Sequence, residues 1–474
     1  MNNPGSIDIN ALIKKTKQLI ENDKSISNSL KATIEILLMV VSLLSNQLGL
    51  NSNNSSKPPS SDPNRKKTLK KSGKKPGGQK GHKGETLKKN PNPDRIEKLK
   101  VDISKLPKEH YKSVDYESRQ VIEIVLSKEI TEYQAEIVED SKGNRYIAEF
   151  PKGVTRPVQY GNSVKANSVY MSQYQLIPYK RVEENFKDQV NLNLSCGSVY
   201  NFNREAFKRL EQFECLIKKK LTSSEVCHVD ETGINVGGKR FWLHCVSTKN
   251  YTCYFPHQKR GMDAIDDMGI LPNFEGILCH DHWKPYFRLT CDHSLCNAHH
   301  LRELERAWEQ DHFQWAKDMS GLLLEINLAV DKAGGKLTEK KANKYLKQYR
   351  QILGQGQIKC PPPDESERIN KRGRIKRSKS RNLLERLIDY EKETLLFMYE
   401  KTVPFTNNLG ENDIRMTKVQ QKISGCFRSM PGAYIFCRIR SYLSTCKKNN
   451  ISATKALRML FDTDRYPEFL YTSD

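Results

Sequence analysis

The hydrophobic positions of the first 50 residues have the spacing of a helix that pairs along one face. Spacings of four and three residues alternate there, which is the a/d pattern of a coiled coil. The positions are Leu30, Ile34, Leu37, Val41, Leu44 and Leu48. We therefore predict an N-terminal helix over 1–50, which either self-associates as a coiled coil or packs on its own chain.

Residues 51–94 have no hydrophobic period and form a basic linker. Pro58 and Pro59, within an Asn/Ser cluster, end the helix, and Lys, Gly and Pro dominate after them. Such a segment stays open, so its lysines can follow a phosphate backbone. A flexible solubilising linker is the alternative. The candidate DNA contacts are Lys66, Lys67, Lys70, Lys71, Lys74 and Lys75.

Two modules are predicted between the linker and residue 220. Residues 95–160 alternate as strands do, in RQVIEIVLS and KGNRYIAEF, and predict a small β-rich module. Residues 161–220 are helical in pattern, and PYKRVEENF, NLNLS and CGSVYNFNREAF have the proportions of a helix-turn-helix. The second helix, near Ser198 to Arg204, would then lie in a major groove of DNA, with Arg204 as a contact. An ordinary helix pair fits the pattern equally well.

Residues 221–448 predict a larger α/β domain. EVCHV, KRFWLHCVS and YTCYFPH form an antiparallel meander, GILCHD a fourth strand and DHSLCNA a fifth. A helical insertion at about 301–400 follows, interrupted by a basic, Pro-rich stretch, and another helix begins after PFTNN. Residues 449–474 form a C-terminal segment. The predicted fold class is a mixed sheet with flanking helices.

The charge of the chain narrows the choice of partner. Among 474 residues, 79 Lys and Arg outnumber 56 Asp and Glu, for a net charge of +23. This excess favours a polyanionic partner such as DNA, although a solvated basic surface is the alternative.

The longest apolar run, ILLMVVSLL, is shorter than the ~20 residues of a membrane span. The twelve cysteines lack paired spacing. We expect a cytoplasmic protein without a membrane partner.

Three acids stand at positions where catalytic carboxylates would meet. We expect Asp230 to end the first strand, Asp281 to end the fourth, and Glu411 to lie in the first turn of a helix capped by Asn407 or Asn408. This is a ribonuclease-H-like arrangement. Three adjacent carboxylates repel one another unless a cation lies among them, and their oxygens suit Mg²⁺ or Mn²⁺. Two such ions can support phosphoryl transfer.

Several neighbouring residues are weaker candidates. Arg415, Lys418 and Lys422 share the helix face of Glu411 and could hold DNA phosphates, or form an exposed ion-paired helix. Glu231 competes with Asp230, which we prefer for its strand register. The C-x-x-H of Cys296 and His299 has no second half-site nearby in sequence, so we expect a packing role rather than metal binding. Of the two histidines that flank Asp281, His280 and His282, we expect one in the core and the other as a candidate DNA contact. We expect Trp283 in the core rather than as a surface on which a base stacks.

Motifs along most of the chain resemble the insertion sequence 66 family of bacterial transposases. They are NSSKPPSSD, KKPGGQKGHKG, FPKGVTRPVQYG, HVDETG, HDHWKPY, CNAHHLREL, KRSKSRNLLERL and NNLGENDIRMTKVQQKISGCFRS. The resemblance implies a DDE triad of Asp230, Asp281 and Glu411, the three acids already selected by position, with two Mg²⁺ or Mn²⁺ ions. Family members carry a cysteine-rich zinc module before FPKGV. This chain has no cysteine before Cys196, so we expect no structural zinc there.

The expected function is therefore metal-dependent DNA cleavage and strand transfer by a DDE transposase. The protein would bind the terminal inverted repeats of its element and target DNA as a homodimer or higher oligomer, with companion proteins of the element as possible partners. Two alternatives stay open: a catalytically silent DNA-binding regulator, and a nuclease with a ribonuclease-H fold. A transposase would work in the bacterial cytoplasm, at the nucleoid.

Overall fold

The computed structural model describes residues 9–23, 25–48, 50–55, 62, 87–363, 375–463 and 465–471. These residues fall into two units. The larger contains the described residues up to 62, then 151–186 and those from 193 onward. The smaller contains 87–150 and 187–192. The candidate lysines of the linker, Lys66 to Lys75, lie outside the described residues.

The N-terminal region forms two helices, α1 (Ile9–Asn22) and α2 (Asn28–Leu48). The predicted helix is thus confirmed as α2, whereas the coiled coil stays a prediction. Its seam is exposed, with Leu37 at 58% and Leu44 at 53%. The stretch Asn28–Ser45 of α2 is long and apolar enough to cross a membrane by length and composition, which by itself is weak evidence for a membrane span. The expectation of no membrane partner stays a prediction.

The smaller unit contains one short hairpin, β1 (Ile137–Glu139) with β2 (Arg145–Ile147). Gly143 makes its turn at a φ of 82°. KGNRYIAEF thus contributes a strand, but the strand predicted in RQVIEIVLS is wrong, because no described residue of that segment is in a strand. Its alternating side chains stay exposed, Val121 at 84% and Ile124 at 87%, so no apolar face packs to hold a strand.

The segment before the main sheet is helical, as predicted. Its helices are α3 (Asn162–Val169), α4 (Tyr179–Val190), α5 (Cys196–Arg209) and α6 (Glu211–Thr222). A five-residue break separates α4 from α5, and the Ser195 side chain accepts a hydrogen bond from the Ser198 N–H at 3.1 Å, which caps α5. The helix–break–helix pattern is therefore present, while its use on DNA stays a prediction.

A five-stranded mixed sheet follows, with every predicted strand present. The strands are β3 (Val226–Val236), β4 (Lys239–Ser247), β5 (Thr252–His257), β6 (Ile277–His280) and β7 (Asp292–Leu295). Their order is β5-β4-β3-β6-β7. The first three are antiparallel neighbours, whereas β6 is parallel to both β3 and β7. A short helix, α7 (Met262–Met268), connects β5 to the segment before β6.

The helical insertion has its own hydrophobic core. It consists of α8 (Asn297–Asp311), α9 (Gln314–Lys332), α10 (Glu339–Lys359), α11 (Lys379–Asp389) and α12 (Glu391–Leu395). Fully buried side chains such as Leu323, Tyr349 and Leu384 fill this core. The same core contains Cys279 of β6, and Val226 and Ile277 of the sheet pack against it, so the insertion packs on the sheet as well as on itself.

Three helices complete the larger unit: α13 (Asn408–Ser424), α14 (Met430–Lys448) and α15 (Ala453–Arg458). The sheet edge at β5 is covered by α14. Ser441 accepts a hydrogen bond from the Tyr254 N–H at 2.8 Å, and Thr445 accepts one from the Thr252 N–H at 3.1 Å. Side chains of the helix thus satisfy backbone donors of an edge strand, which would otherwise be open to pairing with another chain.

Candidate active site

Asp230 lies in the middle of β3 and not at its end. The parallel pairing with β6 stops at His228 opposite Cys279, but β3 continues to Val236 along β4, with Asp230 opposite Cys245. The prediction that the strand ends at Asp230 is therefore wrong. The pairing explains its position. Asp230 comes just after the point where β3 stops pairing with β6, so the side of β3 that faced β6 is open there.

Helix α13 runs beside this open edge. Lys418 and Gln421 donate side-chain hydrogen bonds to the Gly233 carbonyl at 3.2 and 3.1 Å. The segment after the helix pairs with the end of β3, where the Phe427 N–H donates to the Asn235 carbonyl at 2.9 Å. The helix that carries Glu411 is thus fixed along the strand that carries Asp230.

The start of α13 is anchored by Asn407. Its Nδ2 donates to the Val229 carbonyl at 2.7 Å, and its Oδ1 lies 2.8 Å from His228 Nδ1. Asn407 occupies the N-cap position, but its side chain makes no capping bond. The predicted cap is therefore corrected: the Asn407 side chain connects the helix to β3 and leaves Glu411, four residues on, in the first turn beside Asp230.

Asp281 directly follows β6, as predicted. Its Oδ1 accepts a hydrogen bond from the Trp283 N–H at 2.9 Å, which fixes the carboxylate in a turn. Because β3 and β6 are parallel neighbours, Asp230 and Asp281 follow the same end of their shared pairing. The two acids therefore lie next to each other where the pairing of these two central strands ends.

The electrostatics of the site concentrate on Asp230. Burial, followed by the charge of Glu231, raises the pKa of Asp230 to about 7, with smaller contributions from Asp281 and Glu411. The backbone N–H of Glu231 donates to Asp230 Oδ1 at 2.9 Å and opposes this shift. A half-buried carboxylate destabilised by three other acids fits a site that holds a divalent cation, since the cation would compensate the repulsion.

Glu231 belongs to a separate group. Its carboxylate, with 3% of the side chain exposed, forms an ion pair with Arg260 and accepts a hydrogen bond from the Tyr286 hydroxyl at 2.6 Å. The Arg260 guanidinium lies between the rings of Trp242 and Trp283, 4.9 and 4.6 Å from their centroids. Sequence reasoning missed Arg260, because a single cation in a loop carries no period. The pairing also supports Asp230 over Glu231 as the acid available for a metal.

The predicted Lys and Arg contacts to DNA within the described part of the chain lie on two different helices. Arg415, Lys418 and Lys422 are exposed on α13. Partial burial and the nearby Arg240 lower the pKa of Lys418. Arg204 is exposed on α5, which packs against α3 and α14 rather than against α13. The structure therefore brings Lys418 to the strand of Asp230 and leaves Arg204 on a different helical group.

The histidines near Asp281 are partners of one another. His280 Nε2 lies 3.0 Å from His293 Nδ1, and His282 Nε2 lies 2.7 Å from His300 Nε2. Burial lowers the pKa of His280 and of His300 to about 3. Both histidines that flank Asp281 contact aromatic rings within the protein, and the DNA contact expected for one of them stays a prediction.

The Cys296–His299 pair does have a third partner, contrary to the expectation from sequence. Glu411 Oε1 lies 3.8 Å from Cys296 Sγ and 3.8 Å from His299 Nδ1. The ligating atoms of these three residues all lie within 4.8 Å of one another. The residues were too far apart in sequence for the half-site to be recognised.

The fold and the site define a class of protein: a mixed α/β protein in which two parallel central strands and a later helix bring acidic side chains to the same end of the sheet. The chain belongs to the Transposase IS66 family, whose model matches residues 157–435, more than half of its length. The resemblance stated from the motifs is thereby confirmed. A second model, of a family of unknown function, matches residues 2–88. No match was found among curated proteins. As a transposase, the chain is a DNA-binding enzyme of DNA cleavage and transfer, of a group that generally uses a divalent metal.

Proposed function

We propose that the chain is a DDE transposase that cleaves DNA at the ends of an insertion sequence and transfers the cut strand to target DNA. The triad is Asp230, Asp281 and Glu411. The observation that carries this proposal is the raised pKa of Asp230, to which burial and the charge of Glu231 contribute most and the charges of Asp281 and Glu411 add. Asp230 and Asp281 follow the parallel pairing of two neighbouring strands, which brings these two acids next to each other. Acids destabilised in this way serve a function that repays the electrostatic cost.

A ribonuclease-H-like core is part of the proposal. The strand order β5-β4-β3-β6-β7, antiparallel on one side of β3 and parallel on the other, supports it. In such a sheet the acids of neighbouring parallel strands meet at one edge, and a helix alongside brings the third. The helical insertion between β7 and α13 accounts for the long separation of Asp281 from Glu411.

The three carboxylates would hold Mg²⁺ or Mn²⁺, in two sites. When bound, the ions would supply Lewis-acid activation of the attacking oxygen and stabilisation of the leaving oxygen. The chain itself orients the acids. Asn407 fixes the helix of Glu411 on β3, and the Trp283 N–H fixes the carboxylate of Asp281. Lys418, Arg415 and Lys422 would hold phosphates that flank the scissile bond, because they continue the helix face of Glu411.

The remaining parts would recognise and pair DNA ends. The basic linker, with Lys66, Lys67, Lys70, Lys71, Lys74 and Lys75, and the helical region of Arg204 would bind the terminal inverted repeats. The N-terminal helix would support a homodimer or higher oligomer through its exposed seam. Companion proteins of the element are further partners in this proposal, and the setting is the bacterial cytoplasm at the nucleoid. The six-part division of the chain, from 1–50 to 449–474, is proposed on the same basis.

The experiment compares products on a DNA fragment that carries the element's ends and a target plasmid. Wild-type protein with Mg²⁺ should give joined strands, whereas Asp230→Asn, Asp281→Asn and Glu411→Gln should each lower cleavage by at least 100-fold while retaining end binding. Asp266→Asn, an exposed acid on α7, is the matched control and should keep wild-type activity.

The products also separate the alternatives. Cut but unjoined strands would indicate a nuclease on this fold. Binding without cleavage by the wild-type protein would indicate a DNA-binding regulator. Wild-type cleavage by any of the three triad variants would remove that residue from the triad.

A further inference from the structure

The sulfur of Cys296 lies where backbone N–H groups converge. Cys296 follows β7 and occupies the N-cap position of α8. The Asn407 N–H donates a hydrogen bond to its Sγ at 3.2 Å, which fixes the position of the sulfur. Burial raises the pKa of the Cys296 thiol above its usual value, so the metal-free cysteine keeps its proton and would lose it only when a metal ion binds.

His299 brings a second ligand atom to the same place. It lies in the first turn of α8, three residues after Cys296. Its Nδ1 is buried, and among the described residues it has no hydrogen-bond partner. A buried ring nitrogen without a partner is costly, so the arrangement requires an explanation. Glu411 Oε1, 3.8 Å away, is too far for a hydrogen bond but suitably placed for a shared cation.

The distances among the three atoms fit a transition metal. Oε1 is 3.8 Å from both Sγ and Nδ1, and all three atoms lie within 4.8 Å of one another. A point equidistant from three atoms so spaced lies about 2.2–2.5 Å from each, close to the ~2.3 Å of a Zn–S bond and the ~2.0–2.2 Å of Zn–N and Zn–O bonds. Only small side-chain adjustments would be needed to bind an ion.

We propose that Cys296, His299 and Glu411 form a binding site for one Zn²⁺-type transition-metal ion. Thiolate and imidazole select soft or borderline ions, whereas Mg²⁺ prefers oxygen ligands. Binding would displace the thiol proton to solvent and form a metal–sulfur bond. Three protein ligands leave a fourth position open in a tetrahedral ion. The site shares Glu411 with the proposed triad, but binding of the ion does not require DNA.

The test measures metal binding without DNA, so its outcome does not depend on the transposase proposal. Full-length protein is stripped with a chelator and titrated with Co²⁺. We expect one equivalent per chain, a sulfur-to-cobalt charge-transfer band in the near ultraviolet, and loss of the band when Zn²⁺ is added. Cys296→Ser should remove the band, and His299→Ala and Glu411→Gln should each weaken Co²⁺ binding by at least tenfold.

Cys291→Ser is the matched control, because it removes a buried cysteine that precedes β7 and should leave the band and affinity unchanged. Circular dichroism establishes that each variant is folded. Absence of the band in folded wild-type protein would overturn the proposal. The proposal would also be overturned if Cys296→Ser and His299→Ala both bound Co²⁺ with the wild-type affinity and the wild-type charge-transfer band.

Discussion

Glu231 and Arg260 form an ion pair beside Asp230, and Arg260 is held between two tryptophan rings. The two adjacent acids of β3 therefore have different environments. Glu231 has a cation and the Tyr286 hydroxyl as partners. The pKa of Asp230 is raised by burial and by the charge of Glu231. Glu231 is thus paired within the structure, whereas the charged form of Asp230 is disfavoured unless a bound cation stabilises it.

We predict opposite outcomes for isosteric changes at these positions. Glu231→Gln should lower the free energy of unfolding by about 1–3 kcal/mol, because it weakens charge-assisted hydrogen bonds to Arg260 and Tyr286. Asp230→Asn should not destabilise the protein but should abolish cleavage. Denaturant unfolding and the cleavage assay check both. A destabilised Asp230→Asn with normal cleavage would contradict the assignment.

The pH dependence of stability should report the shifted pKa of Asp230. Its pKa is about 7 in the folded protein and about 4 when unfolded, so the folded state binds the proton more tightly. Its contribution to stability is full below pH 4 and is lost as the pH rises to 7, by an amount on the order of 3–4 kcal/mol. Asp230→Asn should therefore gain stability relative to wild type between pH 4 and 8. Equal pH profiles for the two proteins would contradict this.

Added Mg²⁺ or Mn²⁺ should raise the melting temperature of the wild-type protein at pH 8, because a ligand that binds only the folded state stabilises it. Removal of the metal with a chelator should reverse the increase. The effect should be absent or much reduced in Asp230→Asn. An equal increase in both proteins would indicate that the metal binds elsewhere.

The Asn407 side chain should be needed for both stability and activity. Asn407→Ala leaves the Val229 carbonyl and the His228 ring without their partner, which should cost about 2–4 kcal/mol. It should also lower cleavage, since α13 would no longer hold Glu411 beside β3. Asn408→Ala, exposed on the next residue, is the control. Unfolding curves that coincide for the two variants would refute the anchoring role.

The basic residues of α13 should contribute to DNA affinity through phosphates. Arg415→Ala and Lys422→Ala should weaken binding of any sequence and each lower the slope of log K against log salt by about 1. Lys340→Ala, exposed on α10, serves as a comparison. The measurement is a salt titration of binding to end-containing and unrelated DNA. A loss confined to the end-containing DNA would indicate base contacts instead.

Acid should unfold the larger unit through its buried histidines. Burial lowers the pKa of His244 to about 4 and that of His280 and His300 to about 3. Below about pH 6.5 the unfolded state binds protons that the folded state does not, so stability falls by about 1.4 kcal/mol per histidine and pH unit. Unfolding midpoints from pH 7 to 5 test this, with the exposed His110→Gln as a control that keeps the full dependence.

Hydrophobic patterns along the sequence were sufficient to predict most of the helices and strands. The sequence patterns predicted the three strands of the meander and two further strands, and they placed Glu411 in the first turn of α13. The pattern failed in RQVIEIVLS, because alternation forms a strand only when one face finds a partner. It also misjudged the end of β3, since a strand can continue after one of its neighbours stops.

The sequence by itself thus determined the family, the elements and the identity of the candidate acids, because motifs and hydrophobic periods are local along the chain. The tertiary structure alone decided which side chains meet. Arg260 with Glu231, Asn407 with Val229, and Cys296 with His299 and Glu411 are contacts between separate elements. Such contacts depend on how strands and helices pack in three dimensions, and no spacing within one element records that packing.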